Sequence, residues 1–247
     1  MKKILTLLFI SGFFSVIFAA EATIPTVNLS LSAPDTPNQL VTTLNIVIVL
    51  TILALAPSII FVMTSFLRLI VVFSFLRQAM GTQSMPPNTI LVTLALILTF
   101  FIMEPVATKS YNEGIKPYLA EQIGYEEAFA RGVKPFKDFM LKNTREKDLA
   151  LFYRIRNLPN PKTIDDVPLT VLVPAFMISE LKTAFEKGLL IYLPFLVIDM
   201  VVSSVLMAMG MMMLPPVMIS LPFKLLIFVL VDGWNLLVQR LVESFVT

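Results

Sequence analysis

The chain has 247 residues, of which 57% are hydrophobic and only 15% are charged, whereas soluble domains carry about 25% charged residues. With a mean hydropathy of +0.84, this excess of apolar residues cannot be buried in a core of this size, so the composition predicts an integral membrane protein. Cys and His are both absent, which excludes disulfides, Cys/His zinc sites and a Ser-His-Asp triad. No glycine-rich phosphate-binding loop is present. The net charge of +2 says nothing about a polyanionic partner, and we expect no nucleic-acid partner.

The charged residues are concentrated in the middle of the chain. The segment from Glu104 to Lys187 contains 25 of the 36 charged residues, 13 basic and 12 acidic. We therefore predict five parts: a signal peptide at 1–22, an extended leader at 23–43, a first apolar helical hairpin at 44–108, a charged helical module at 109–187, and a C-terminal apolar hairpin at 188–247.

The N-terminal residues have the pattern of a secretory signal. Lys2 and Lys3 precede the apolar run Ile4–Phe18, and small residues around Ala22 suit a cleavage site. A run of about 15 residues is short for a membrane span, which needs about 20, so we predict a cleaved signal; a retained first helix is the alternative. Three prolines in the next stretch predict an extended leader on the outer face.

The first apolar arm contains two charge-free runs. Val41–Leu67 is long enough for a tilted span, and Pro57 predicts a kink within it. The second run is Gln78–Met103, and Pro86-Pro87 marks the position where its helix can begin.

Arg68 and Arg77 lie between these runs with no acidic residue nearby. We interpret them as charges of a short loop between two spans, which the positive-inside tendency places on the cytoplasmic side. The charged module would then lie on the opposite, periplasmic side.

The charged module is predicted to consist of short helices, because no alternating run is long enough for a sheet. Gly124 and Gly132 are expected to end two of these helices, and Thr144 is expected to cap the start of another. Further along, Met177, Leu181, Ala184 and Phe185 form an apolar stripe. Charged residues, Glu180 among them, flank the stripe, which indicates either a helix docked on its neighbours or a solvated face.

The C-terminal arm is predicted to be a hairpin. Leu189–Met209 forms the first helix, Gly210–Pro216 the turn, and Val217–Arg240 the returning helix, with Gly210, Pro215 and Pro216 as helix breakers.

A cluster of methionines occupies this turn. Its members are Met207, Met209, Met211, Met212 and Met213. Methionine is flexible and polarizable, so the cluster suits a compliant seal or an adaptable contact surface. The alternatives are ordinary lipid-facing or core residues and, less favoured, a thioether copper site.

Three charged residues lie within the apolar C-terminal arm: Asp199, Lys224 and Asp232. A charge at the centre of a bilayer is costly and normally faces protein or water. Lys224 and Asp232 are too far apart for a direct pair, so partners must come from the facing helix, from Glu180, or from a neighbouring subunit. These charges either join helices or subunits, which we favour, or form a proton or ion path.

Three long segments carry a resemblance to a known family: Phe66–Ala79, Pro174–Phe185 and Pro222–Trp234. In the last segment Gly233 permits close backbone approach and Trp234 supplies a packing or interfacial anchor. From about Asn45 to its end, the chain resembles the FliP family of flagellar type III secretion export-gate proteins.

The resemblance implies that several copies of the chain join FliQ and FliR in a closed helical cone through which unfolded flagellar proteins pass. It further implies contacts with FlhB, FlhA and the basal-body ring in the bacterial inner membrane, no cofactor and no enzymatic activity. The methionine turn would be the gasket that closes the channel, with Met211, Met212 and Met213 as its core. Glu180 and Lys224 become candidates for charge pairs between subunits.

Three other functions were weighed. A small-solute transporter with Asp199 and Asp232 as coupling carboxylates would be expected to show an inverted repeat, and we find none. A membrane-embedded enzyme lacks the usual nucleophile and base without His or Cys. A role in an injectisome is the closest alternative, and the signal-like leader argues against it.

Overall fold

The computed structural model describes residues 37–82, 85–159, 161, 163–211 and 214–246, and within these ranges every regular element is helical. The predicted all-α class is therefore confirmed. The predicted signal peptide and the leader up to residue 36 lie outside the described residues.

The α-helices, numbered in chain order, are α1 (Pro37–Val62), α2 (Phe66–Met80), α3 (Asn88–Ser110), α4 (Lys116–Leu119), α5 (Tyr125–Lys142), α6 (Glu146–Ile155), α7 (Leu169–Ala208), α8 (Pro216–Leu230) and α9 (Gly233–Val246). A π-helical turn at Tyr111–Ile115 joins α3 to α4, and a 3₁₀ turn at Ile164–Asp166 precedes α7. Helix α3 begins directly after Pro86-Pro87, as predicted. Helix α1 begins at Pro37, so the last part of the expected extended leader is helical.

The chain divides into two units at Thr51, and the second unit, Ile52–Thr247, is compact. The core of the second unit is built on α2, whose Leu69, Val72 and Phe73 have no exposed surface. Helix α2 packs mainly along α7, with α3 on another side. Gly188 of α7 allows this contact, because a Cβ there would lie 2.6 Å from the ring of Phe75.

Among the residues that the structure describes, two helical segments are long and apolar enough to cross a membrane, Asn88–Leu119 and Leu169–Ala208. A third span results if α8 and α9, which are bent by 64°, are counted as one. With 40 residues, α7 is about 60 Å long, about twice the thickness of a hydrocarbon core. The predicted boundary between the charged module and the C-terminal hairpin, at residues 187 and 188, therefore falls inside one continuous helix.

Three predicted helix boundaries in the charged module were wrong. Helix α4 ends at Leu119, and Gly124, which was expected to end a helix, has a φ of −76° and directly precedes α5. Helix α5 continues through Gly132 to Lys142, and Gly132 instead faces Gly114 across a close helix contact, where a Cβ on Gly114 would lie 2.7 Å from the Gly132 Cα. Thr144 does not cap α6, since Arg145 occupies the capping position and the Thr144 hydroxyl donates to the Met140 carbonyl at 2.7 Å.

The returning arm of the C-terminal hairpin was predicted as one helix, and the structure has two. Helix α8 ends at Leu230 and α9 begins at Gly233. Asp232 between them has a φ of 51°, a left-handed conformation that Asp tolerates better than most residues and that a continuous helix does not allow.

Candidate functional site: buried ion pairs and the methionine turn

Arg68 and Arg77 lie in helix α2 and not in the predicted loop. The segment Phe66–Met80 contains no Gly or Pro to stop a helix, and α2 ends only at Gly81, which has a φ of 76°. The chain therefore leaves α2 only after both arginines. Arg77 is half-buried in the last turn of α2, whereas Arg68 is 3% exposed.

The buried Arg68 forms a two-point ion pair with Glu180 of α7. Arg68 Nε donates to Glu180 Oε2 at 2.8 Å, and Arg68 Nη2 donates to Glu180 Oε1. Both side chains are 4% exposed or less. Because the planar guanidinium matches the two oxygens of a carboxylate, this contact fixes the rotation of α2 against α7.

The remaining donors of Arg68 reach two other parts of the chain. Nη1 donates to the Ser244 carbonyl at 3.2 Å and to its hydroxyl at 2.9 Å, and Nη2 donates to Asn143 Oδ1 at 3.3 Å. The guanidinium carbon also lies 3.8 Å from the centre of the Phe245 ring, a cation–π contact. One side chain thus joins α2, α7, the residue after α5 and the C-terminal helix α9.

The ion pair explains why the predicted apolar stripe of α7 was misplaced. Glu180 was expected beside the stripe and is fully buried, whereas Phe185 was expected within it and is 54% exposed. A lone carboxylate would face water, but Arg68 supplies its partner from a distant segment.

A second buried ion pair joins the two helices of the C-terminal hairpin. Lys224 Nζ of α8 lies 2.6 Å from Asp199 Oδ2 of α7 and donates to the Ala79 carbonyl at 3.1 Å. The Ser220 hydroxyl donates to Asp199 Oδ1 at 2.6 Å. Lys224 is 3% and Asp199 29% exposed in their side chains, so the pair fixes α8 on α7 and on the end of α2. Lys224 and Glu180, the candidates for pairing between subunits, each have a partner on another helix of the same chain.

Asp232 does not join these networks. It is exposed in the turn before α9 and accepts a hydrogen bond from Asn235 Nδ2 at 3.1 Å. The adjacent Gly233 lies against Phe228, where a Cβ would be 2.3 Å from the ring. Trp234 packs edge-on against the same ring, with 5.5 Å between the ring centres.

The methionine turn connects α7 and α8. Gly210, with a φ of 74°, leads the chain out of α7, and Pro215 and Pro216 begin α8. Met207, Met209 and Met211 are 60%, 66% and 40% exposed. Met212 and Met213 lie outside the described residues. The described methionines therefore present thioether side chains at the end of a hairpin fixed by a buried ion pair.

Sequence reasoning missed the polar residues that complete the two ion pairs. Ser220, Asn143 and Ser244 are ordinary polar residues in the sequence, and only the packing of distant segments brings them to the charges. Arg68 itself gave a usable signal, because an arginine inside an otherwise apolar helical run requires a buried partner.

These features define a class: an all-α membrane protein whose long apolar helices are held by buried inter-helix ion pairs. The FliP family model matches residues 49–241, most of the chain. The chain belongs to the FliP family, which confirms the resemblance drawn from its motifs.

Curated relatives support the same assignment over nearly the whole chain. The chain is 51% identical to the flagellar biosynthetic protein FliP of Bacillus subtilis over 217 residues, which cover 88% of this chain and 98% of the relative. It is 57% identical to FliP of Caulobacter vibrioides over 196 residues, covering 79% and 74%. With FliP of Aquifex aeolicus it shares 47% identity over 247 residues, covering 99% and 100%.

Proposed function

We propose that this chain is a pore-forming subunit of the flagellar type III protein export gate. Several copies assemble with FliQ and FliR into a closed helical cone, and unfolded flagellar proteins pass through it across the inner membrane. The methionine turns of the copies meet on the common axis and seal the channel when no cargo is present. FlhB, FlhA and the basal-body ring are further expected partners.

Membership of the FliP family supports the flagellar role, because the relatives named above are flagellar biosynthetic proteins. It also favours the flagellar gate over an injectisome gate.

The exposed apolar surface of the C-terminal hairpin supports assembly. The cavity along α7 and α8 has a volume of about 550 Å³ and is lined only by apolar residues, among them Val201, Phe223 and Ile227. Soluble surfaces seldom carry such patches, so these residues face lipid or the helices of neighbouring subunits.

The single observation that carries the proposal is the exposure of Met207, Met209 and Met211 at the turn of a fixed hairpin. Thioether side chains exclude water when packed together, and their three rotatable bonds let them re-pack around any polypeptide. A seal made in this way makes no demand on the sequence of the cargo.

The membrane orientation belongs to the same proposal. We place the charged module on the periplasmic side, as expected for the segment that follows α3 if the chain enters from that side. Because α2 ends only at Gly81, Arg68 and Arg77 do not lie in a loop that would fix the orientation. Labelling of the charged module from outside the cell tests it.

The absence of cysteine from the chain permits a direct test by disulfide cross-linking. In the complex co-expressed with FliQ and FliR, Met209→Cys should cross-link copies of the chain to each other on oxidation, since the turns converge. The matched control is Leu230→Cys, at the end of α8 that lies away from the methionine turn. Its side chain is 73% exposed, compared with 66% for Met209. Cross-linking of Leu230→Cys with none for Met209→Cys would contradict the proposal.

A further inference from the structure

A polar face of α2 borders a cavity at the start of α8. The cavity has a volume of about 450 Å³ and is lined by Ser74, Arg77, Gln78, Gly81, Thr82 and Val217. The first four of these residues follow one another at helical spacing and form one face of α2, whereas the core residues of this helix lie on another face. The volume is in the range of about 300–1,000 Å³ that is typical of small-molecule pockets.

Arg77 brings an unbalanced positive charge to this cavity. It is half-buried, and no ion pair among the residues that the structure describes includes it. The neighbouring cation is Lys224, whose Nζ lies 3.8 Å from the position of a Cβ on Gly81, but Asp199 balances its charge. Two cations and one carboxylate therefore leave one net positive charge, and that charge belongs to Arg77.

Neither the helix end nor the hydroxyls of the cavity neutralise this charge. Arg77 lies in the last turn of α2, and the C-terminal end of a helix carries only about half a negative charge. The hydroxyls of Ser74 and Thr82 already donate to backbone carbonyls. The Gln78 side chain is exposed and forms no hydrogen bond within the described part of the chain. The guanidinium and this amide are therefore free to donate to an anion in the cavity.

The cavity lies where two possible membrane spans begin. Gly81 and Thr82 belong to the short connection that leads into the apolar segment Asn88–Leu119, and Val217 lies in the first turn of α8, which begins the bent apolar pair. The ends of a membrane-spanning segment lie at the phospholipid headgroups. Val217 and the next residue, Met218, are 51% and 72% exposed, so apolar surface adjoins the polar cavity.

We propose that Arg77 binds the phosphate of an anionic phospholipid in this cavity, with the acyl chains against the exposed apolar start of α8. The planar guanidinium donates two hydrogen bonds to two phosphate oxygens, and the Gln78 amide donates a third. Basic pockets between membrane helices bind anionic headgroups in this way. A lipid is favoured over a carboxylate of a partner subunit, because the cavity is larger than one carboxylate requires and adjoins exposed apolar side chains.

The test uses the full chain, co-expressed with FliQ and FliR, purified in a neutral detergent and titrated with phosphatidylglycerol or phosphatidylcholine. Retained lipid is counted by native mass spectrometry, which gives apparent affinities. The wild type should retain phosphatidylglycerol in preference to phosphatidylcholine. Arg77→Gln should weaken the affinity for phosphatidylglycerol about tenfold, because it removes the charge and the two-point contact. Gln78→Ala, which keeps the charge, should weaken it about threefold.

Two controls separate the site from general charge effects. Arg240→Gln removes another arginine of the C-terminal half of the chain, whose side chain is 76% exposed and lies 3.5 Å from Glu243, and it should leave lipid retention unchanged. Arg77→Lys keeps the charge and loses the planar fork. It should keep the preference for phosphatidylglycerol, with an affinity between those of the wild type and Arg77→Gln.

Several results would overturn the inference. Equal retention of the two lipids, or an equal loss in Arg240→Gln, would show that no specific site exists. Displacement of phosphatidylglycerol by millimolar inorganic phosphate would indicate a site for a soluble anion. Unchanged lipid retention in Arg77→Gln, together with loss of FliQ or FliR from the complex, would assign the guanidinium to a carboxylate of that partner. If Arg77→Gln fails to assemble, Gln78→Ala decides: a threefold loss supports the lipid site, and an unchanged affinity contradicts it.

Discussion

Arg68 connects four parts of the chain through one guanidinium group, and its partner Glu180 is fully buried. Replacing a buried ion pair with apolar side chains is often neutral, whereas removing one partner leaves an uncompensated charge. Loss of Arg68 alone should therefore destabilise the chain, although the ion pair as a whole contributes little to the free energy of unfolding.

We predict that Arg68→Met destabilises the chain by about 3–5 kcal/mol, because Glu180 is left buried without its partner. Thermal denaturation of the purified complex, followed by loss of helical circular dichroism, measures this. The double variant Arg68→Met/Glu180→Met should recover a large part of the loss. A double variant as unstable as the single one would assign the effect to packing and to the contacts with Ser244 and Asn143.

The second ion pair predicts an asymmetry between its partners. Asp199→Asn leaves Lys224 buried without a counter-charge, with only the neutral Asn amide oxygen and the Ala79 carbonyl as acceptors, a loss of about 3 kcal/mol. Lys224→Met leaves Asp199 partly exposed and still bonded to Ser220, a loss of about 1 kcal/mol. The same denaturation experiment compares them, and equal losses would argue against a structural role centred on Lys224.

At the scale of elements, the close contact between α5 and the π-helical turn after α3 depends on Gly114 more than on Gly132. A Cβ on Gly114 would lie 2.7 Å from the Gly132 backbone, whereas a Cβ on Gly132 would meet nothing closer than the Ser110 hydroxyl at 3.7 Å. The two backbones can approach closely only because Gly114 has no side chain.

We predict that Gly114→Ala destabilises the charged module, because backbone atoms cannot move aside as a flexible side chain can. Gly132→Ala should be neutral or slightly stabilising, since Ala is favoured over Gly inside a helix by about 0.5–1 kcal/mol. Protease resistance of the module, compared between the two variants at rising temperature, measures the difference. The opposite order of resistance would contradict this packing.

Local signals in the sequence predicted where some helices begin and end, and tertiary contacts decided the others. Pro86-Pro87 and Gly210 act through their own backbone preferences, so the start of α3 and the exit from α7 could be read directly. Gly132 looked like a helix end because its role is to face Gly114, which is distant in sequence. Arg68 looked like a loop charge because its partner Glu180 lies 112 residues away.

The same limit applies to the candidate site. The methionine turn was visible as a local cluster between helix breakers, whereas the residues that bind Arg68 and Lys224 come from separate segments. Asp232 was expected inside a helix, because a hydropathy pattern does not reveal a bend of 64° between two apolar helices.

At the scale of the whole molecule, the second unit buries a compact core around α2 but leaves much of α7 and α8 exposed. Two buried ion pairs fix these helices in one arrangement, so the exposed side chains are presented in a defined geometry. That combination suits a subunit that completes its packing only in an assembly or a lipid environment.

The measurement that tests the account most directly is the permeability of membranes to small ions when Met209, Met211, Met212 and Met213 are replaced by Ala. Cells producing the complete gate with this variant are compared with wild-type cells, with Leu225→Ala and Leu226→Ala on α8 as matched apolar controls. If the turns close the channel, the methionine variant alone should admit ions while flagellar protein export continues. An unchanged permeability with the variant complex fully assembled would contradict the seal.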